Sequence, residues 1–390
     1  MSFDEIIDRR GNHCAKWDMM EARYGVSPDD GLAMFVADMD FRSPPCVQDA
    51  LQKMLDLGVY GYFGDDRAYR ASIQWWMKTR HGWDLETDWI FSTHGLVNGT
   101  AMCIDTFTEP GDGIILHTPV YHAFARIIKS AGREVVECEM VNNNGHYEFD
   151  FDAWDAQMTG NEKMFIMCSP LNPGGRVWTQ AELSGLAEFV KRHDLILVSD
   201  EIHHDLVRPG YKHIPMAVAA PDISDRLIMM TAVSKTFNLA GGHVGNVIIE
   251  DENLRARFGA RMAALGNSPN AFGLHLATAA YSPEGAAWVD DLNAYLAENS
   301  KIFDDGVNAI PGVRSMNLES TYLSWVDFSG TGMSGEEVND RLKNSAKIAV
   351  NQGESFGQGG EGFMRFNIGM PRSQIIEAVK RLQAAFADLQ

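Results

Sequence analysis

Three polar residues draw attention because each directly follows a short apolar run: Asn172, Asp200 and Lys235. An amide, a carboxylate and a primary amine are groups that ligand binding, proton transfer and covalent catalysis use. Asp200 opens Asp200-Glu201-Ile202-His203 behind Leu195-Ile196-Leu197-Val198. Lys235 lies in Ser234-Lys235-Thr236-Phe237-Asn238, just past Leu227–Thr231. Asn172 lies in Ser169-Pro170-Leu171-Asn172-Pro173-Gly174-Gly175-Arg176, behind Phe165–Cys168, where prolines and glycines define a tight turn that presents it. Each has an ordinary reading when taken alone: a turn or capping acid, a solvated lysine, a plain loop.

The elements around these residues give the pattern its weight. Strands are predicted at Asp88–Ser92, Gly113–His117, Glu134–Met140, Lys163–Cys168, Leu195–Ser199, Arg226–Thr231 and Val244–Glu250. Helices are predicted at Gly95–Phe107, Tyr121–Ala131 and Ala181–His193. This alternation predicts an α/β fold with a doubly wound, mainly parallel sheet. Ligands in such folds sit beyond the carboxyl ends of the strands, where all three residues fall. Beyond Pro283 the pattern changes, with a helix at Asp291–Asp304, strands at Tyr322–Phe328 and Gly362–Asn367, and a terminal helix at Ser373–Leu389. The expected organisation is an N-terminal arm (1–45) packing with a smaller α+β domain (283–390), and a large domain (46–282) between them.

Composition narrows the function classes. The 390 residues carry 33 basic against 53 acidic side chains, a formal net charge of −20, which argues against a nucleic-acid partner. The five cysteines (Cys14, Cys46, Cys103, Cys138 and Cys168) are scattered without a CxxC, so a reducing, cytoplasmic setting is expected. No apolar stretch predicts a signal peptide or a membrane span. His203 and His204 form a pair, but no carboxylate or cysteine spacing completes a metal site, and no metal is expected.

The order and spacing of Asn172, Asp200 and Lys235 resemble the cofactor residues of fold-type I pyridoxal-phosphate enzymes, the aspartate-aminotransferase-like superfamily, over nearly the whole chain. The segments Val36-Ala37-Asp38-Met39-Asp40-Phe41, Gly175-Arg176-Val177-Trp178-Thr179, Ser199-Asp200-Glu201-Ile202-His203, Ser234-Lys235-Thr236-Phe237-Asn238-Leu239-Ala240-Gly241 and Arg365-Phe366-Asn367-Ile368 with Pro371-Arg372 resemble the cystathionine β-lyase-like carbon–sulfur lyases more closely.

The resemblance implies pyridoxal 5'-phosphate as cofactor, with Lys235 linking to it and then moving the substrate Cα proton. Asp200 would face the ring nitrogen, Asn172 the phenolic oxygen, and Tyr121 the ring face. His203 would approach the same oxygen as Asn172 or serve as a structural histidine. Gly95, Leu96 and Val97, at a helix start, and Ser234 would hold the phosphate. Tyr62 would reach the phosphate from a second subunit, making a homodimer with shared sites. Arg365 would grip the substrate carboxylate, with Arg372 as the fallback, and Asp38 is a further substrate-side candidate.

Leu171, Ala232 and His243 depart from the family pattern, as do His94 and Asn98 in the phosphate loop; Thr231 or Ser234 are the expected compensations. The implied reaction is β-elimination from a cysteine S-conjugate such as cystathionine, giving pyruvate, ammonia and a thiol. An aminotransferase shares the same residues and is the alternative enzyme. A regulator that binds another protein is the alternative outside catalysis.

Overall fold

The apolar runs form strands because each carries β-branched or long aliphatic side chains on both faces and is covered by helices on both sides. The structure is a computed structural model that describes residues 2–268 and 270–389. The elements of the first half are α1 (Pro45–Leu57), α2 (Arg67–His81), β1 (Ile90–Thr93), α3 (Leu96–Phe107), β2 (Gly113–Thr118), α4 (Ala123–Ser130), β3 (Glu134–Glu139), β4 (Glu162–Cys168), α5 (Gln180–Arg192) and β5 (Ile196–Asp200). They are followed by β6 (Leu227–Thr231), the single turn α6 (Val233–Thr236), β7 (Gly245–Ile248), α7 (Glu252–Ala264), α8 (Ala271–Ala280), α9 (Pro283–Val307), β8 (Arg314–Ser315), β9 (Leu323–Asp327), β10 (Asn351–Gln352), β11 (Phe363–Asn367) and α10 (Arg372–Ala385).

Seven strands make the large sheet in the order β1-β7-β6-β5-β4-β2-β3. All neighbours are parallel except β7, which runs antiparallel to β1 and to β6. The fold is therefore α/β with a mostly parallel sheet, as expected. Every residue of β2 and β6 is buried, which fits a sheet clothed on both faces. A second, antiparallel sheet has the order β8-β9-β11-β10.

Some elements run past their predicted bounds. The helix expected at Asp291–Asp304 is the 25-residue α9, which begins at Pro283 under a Ser282 cap whose side chain accepts from the Gly285 N–H. Proline at the first helical position behind a serine cap is a start signal that apolar periodicity alone passes over. Helices α1 and α2 were not foreseen. Both end at a left-handed glycine, Gly58 and Gly82. Among the described residues no helix is long and apolar enough to cross a membrane.

The N-terminal segment is tied down by polar contacts that apolar patterning does not reveal. Leu32–Ala33 pairs in parallel with Ile348–Ala349. The fully buried Lys16 Nζ donates to Asp40 Oδ2 at 2.7 Å and to the Asp38 carbonyl at 2.8 Å. Asp40 Oδ1 accepts from Arg9 at 2.9 Å and from the Trp17 indole at 3.1 Å. Removing one partner from a buried ion pair leaves the other charge desolvated and unanswered. Asp40→Ala is therefore expected to cost about 3–5 kcal/mol of stability, read as a lowered urea midpoint. Lys16→Met, which removes the buried ammonium itself, should cost less.

Candidate active site

Three adjacent parallel strands end level with one another, and this brings the predicted residues together. The register sets Cys168 beside Asp200 and Asp200 beside Met230, so β4, β5 and β6 release their chains on one side of the sheet. Asp200 is the last residue of β5, Asn172 follows four residues after the end of β4, and Lys235 sits in the turn α6 just after β6. A cavity of about 340 Å³ opens there. Its walls include Asn172, Asp200, Lys235, Tyr121, His203, Ser234, Gly95, Leu96 and Val97. Phe124, Ile202, His94 and His243 also border it.

The charged groups in this cavity are displaced from their ordinary behaviour. Burial pushes the Asp200 carboxyl up to about 7, against the bond it accepts from the Ile202 N–H and the attraction of Lys235. Burial likewise brings the Lys235 amine down to about 8, helped by the Arg365 charge and opposed by Asp38 and Asp200. Lys235 Nζ donates to the Ala37 carbonyl at 2.7 Å. An amine lowered this far is neutral in a substantial fraction near neutral pH and can act as nucleophile or base. His203 is buried with its Nδ1 unpartnered, and burial holds it well below the usual histidine range, so the ring is neutral.

Asn172 is clamped rather than free to turn. Its Oδ1 accepts from Arg365 Nη1 at 2.8 Å, which leaves the Nδ2 group as its remaining donor. Arg365, on β11, also donates to the Phe35 carbonyl at 2.6 Å and to Asn351 Oδ1 at 2.7 Å, while its Nε is buried without a partner. Burial pushes this guanidinium down to about 10. Among the described residues no carboxylate pairs with it, so a buried cation is left without a counter-charge.

Gly95 caps the N-terminus of α3 at φ 85°, a left-handed-side conformation that glycine adopts without strain, and the first turn of the helix faces the cavity. Tyr121 stands half-buried, edge-on to Phe124 with ring centres 5.5 Å apart.

Other candidate residues lie elsewhere. The Asp38 carboxylate is spanned by Arg9 at 2.8 and 2.9 Å, so its oxygens are committed to a guanidinium. Tyr62 is fully exposed and borders a separate, larger hollow between α1, Phe63 and α8. Arg372 starts α10 with its guanidinium 4.4 Å from the centre of the Tyr295 ring, away from the cavity. Leu171 and Ala232 are buried and do not line the cavity. The Thr231 hydroxyl accepts from Asn246 at 3.0 Å inside the fold, so of the two expected compensations only Ser234 borders the cavity.

Sequence reasoning missed the backbone of the N-terminal segment. The Ala37 carbonyl meets Lys235, and Asn238 bonds Met39 through both its N–H and its carbonyl. The signal was present in Asn238, three residues after the lysine, but nothing in the spacing names its distant partner.

The donor set suits a flat heteroaromatic group with a ring-nitrogen cation and a phosphate. Asp200 is a buried carboxylate with no cation among the described residues in hydrogen-bond contact, and His203 Nδ1 is an orphaned polar atom in the same cavity. An aromatic face, a free amide N–H and a helix N-terminus complete the set.

Comparison with known proteins agrees. The model of the family described as aminotransferase class I and II matches residues 33–382. Cystathionine beta-lyase PatB of Bacillus subtilis is 36% identical over 99% of this chain and 100% of its own length. Protein MalY of Escherichia coli is 32% identical, covering 97% of each chain. The crystal structure of cystalysin from Treponema denticola, which contains a pyridoxal 5'-phosphate cofactor, superposes with a TM-score of 0.95 at 37% identity, over 100% of this chain and 99% of that one.

The raised Asp200 pKa gives a stability test in the protein without added ligand. The unfolded carboxyl releases its proton near 3.8 and the folded one near 7, so Asp200 lowers stability progressively as pH rises through that window. The urea midpoint of Asp200→Asn should gain on that of the unsubstituted protein between pH 4 and pH 7 and hold a constant lead above. A difference that stays flat across the window would contradict the buried, unanswered carboxyl.

Proposed function

The chain belongs to the aminotransferase class I and II family, and from that premise we propose that it is a pyridoxal-phosphate-dependent carbon–sulfur β-lyase acting on cysteine S-conjugates such as cystathionine. The observation that carries this reading is the meeting of a lowered lysine amine and a raised, buried carboxyl in one cavity, in a chain alike from end to end to a named cystathionine beta-lyase. Pyridoxal phosphate, when bound, supplies an electron sink for the charge left at the substrate Cα.

Each residue then has a task that follows from its surroundings. Lys235 would hold the cofactor through Nζ and would be the base for the substrate Cα proton. Its lowered pKa keeps the free amine competent as a base. Asp200 would hold the ring nitrogen of the cofactor and keep a proton there. The Asn172 amide donates toward the phenolic oxygen, and the neutral His203 lies on the same cavity wall. Tyr121 covers the ring. The N–H groups of Gly95, Leu96 and Val97, with the Ser234 hydroxyl, bind the phosphate at a helix terminus where partial positive charge collects. Arg365 takes the substrate α-carboxylate. Asp38, bound to Arg9, acts through its field on Lys235 and not by touching the substrate. A thiolate is a good leaving group, so elimination needs no strong acid at the sulfur. Elimination releases the thiol and leaves aminoacrylate, which takes up one water to give pyruvate and ammonia.

A second copy of the chain completes the arrangement. Leu57, Val59, Tyr60, Tyr62 and Phe272 are exposed apolar side chains that line the hollow beside α1, the kind of surface that marks an interface. We place the partner there, with Tyr62 of each chain reaching the phosphate of the other site.

The test is an assay of pyruvate and thiol with L-cystathionine, alongside the visible spectrum of the purified protein. Equimolar pyruvate and thiol over many turnovers, with a visible cofactor band lost in Lys235→Ala, is the expected result. Accumulation of pyridoxamine phosphate that keto acids reverse, without pyruvate, would assign an aminotransferase.

Arg365→Lys keeps the charge but loses the fork, which removes about 1.5–3 kcal/mol of charge-assisted bonding. Its kcat/KM should fall roughly ten- to hundredfold, carried mainly by KM, with the cofactor band retained.

A further inference from the structure

Behind the proposed active site, on the far side of the Asp200–His203 segment, α2 and the Asp205 loop bring three ligand-type side chains together. Atoms of His81, His204 and Asp205 that can bind a metal lie within 4.8 Å of one another. His81 Nε2 is 2.8 Å from Asp205 Oδ1, and His204 Nε2 is 3.2 Å from Asp205 Oδ2. A tetrahedral ion with bonds of about 2.1 Å sets its ligand atoms about 3.4 Å apart, close to this spacing.

The hydrogen bonds around the cluster narrow its chemistry. His204 Nδ1 sits against the Glu201 carbonyl, which can only accept, so Nδ1 carries the ring proton. In the neutral ring Nε2 is then a bare lone pair. It is fully buried, has no hydrogen-bond partner, and faces Asp205 Oδ2, an ionised carboxylate oxygen whose one hydrogen bond comes from the Thr236 hydroxyl. Two such atoms repel unless positive charge lies between them.

Metal-binding histidines characteristically donate their other ring N–H to a carbonyl, and ligating carboxylates are themselves held by outer hydrogen bonds. Both features are present. Asp205 is oriented by the Trp76 indole at 2.9 Å and the Thr236 hydroxyl at 2.8 Å. A cavity of about 370 Å³ opens onto the cluster, and Asn293, whose buried Oδ1 lacks a partner, borders it. The cavity leaves room for water as a further ligand.

We propose that His81, His204 and Asp205 form a binding site for a zinc-class divalent transition-metal ion, separate from the cofactor cavity. Two imidazoles and one carboxylate favour zinc, cobalt or nickel over magnesium or calcium. Arg208 also borders the cavity, with its Nη2 given to the Thr321 carbonyl, and its positive charge weakens cation binding there. Nothing in the proposal depends on which reaction the cofactor cavity performs.

The test uses the cofactor-loaded protein, freed of metal with a chelator. Zn²⁺ binding is followed by calorimetry, and Co²⁺ binding by its visible ligand-field absorption. The expected result is one ion per chain with a tetrahedral-type cobalt spectrum. His204→Gln and His81→Gln should each weaken binding by about tenfold or more. Circular dichroism checks that each variant folds. Should the His204 variant fail that check, the His81 variant, whose side chain is slightly more exposed, carries the comparison. Absence of binding, or unchanged binding in either folded variant, overturns the site and leaves a protonated His204 paired with Asp205 as the account of the contact.

Discussion

Asp200 sits at the end of a central parallel strand, buried, with a single backbone N–H to answer it. Much of the molecule is arranged around making that costly placement possible. A carboxylate in such a place is stable only as its acid or opposite a cation, and Lys235, lowered by the same burial, supplies only part of the charge. The two groups are held in tension by one cavity. Their pKa values are driven toward each other, into the range where a proton moves between groups at little cost.

The walls of that cavity come from parts of the chain far apart in sequence. The large sheet contributes Asp200, Asn172 and Lys235 through its strand ends. The small sheet contributes Arg365, which does not itself line the cavity but holds the wall residue Asn172 across 193 positions of sequence. The N-terminal segment closes the third side. It is anchored by the buried Lys16–Asp40 pair, by Asn367, whose amide donates to the Val36 and Asp38 carbonyls, and by Asn238. Polar side chains that bond backbone carbonyls across such distances define a geometry more narrowly than apolar packing does, because each bond has a direction.

Much of this was legible in the sequence, and the limits have physical causes. The strands β2, β4, β5 and β6 were readable because buried parallel strands are continuous apolar runs. That Asn172, Asp200 and Lys235 share a cavity followed from their places at strand ends. Helices α1 and α2 escaped because their apolar faces are narrow and their clearest signals are a proline and two glycines at the ends. The commitment of Asp38 to Arg9 was invisible, since a salt bridge between residues 29 positions apart leaves no periodic trace. The same holds for His81 and Asp205: the histidine pair at 203–204 could be seen, but its neighbour on α2 lies more than a hundred positions earlier.

The bond from Lys235 Nζ to the Ala37 carbonyl links the chemistry to the order of the N-terminal segment. When that nitrogen is taken up covalently, it has fewer hydrogens to give, and the Ala37 carbonyl must find water or another donor. The segment from Val36 to Asp40 then rests on its other polar ties, to Asn238, Asn367, Lys16, Trp17 and Arg9. Occupancy of the lysine is thereby written into the backbone of the entrance strand, so that a protease or a hydrogen-exchange measurement at residues 36–40 reads, from the outside, whether the amine within is free.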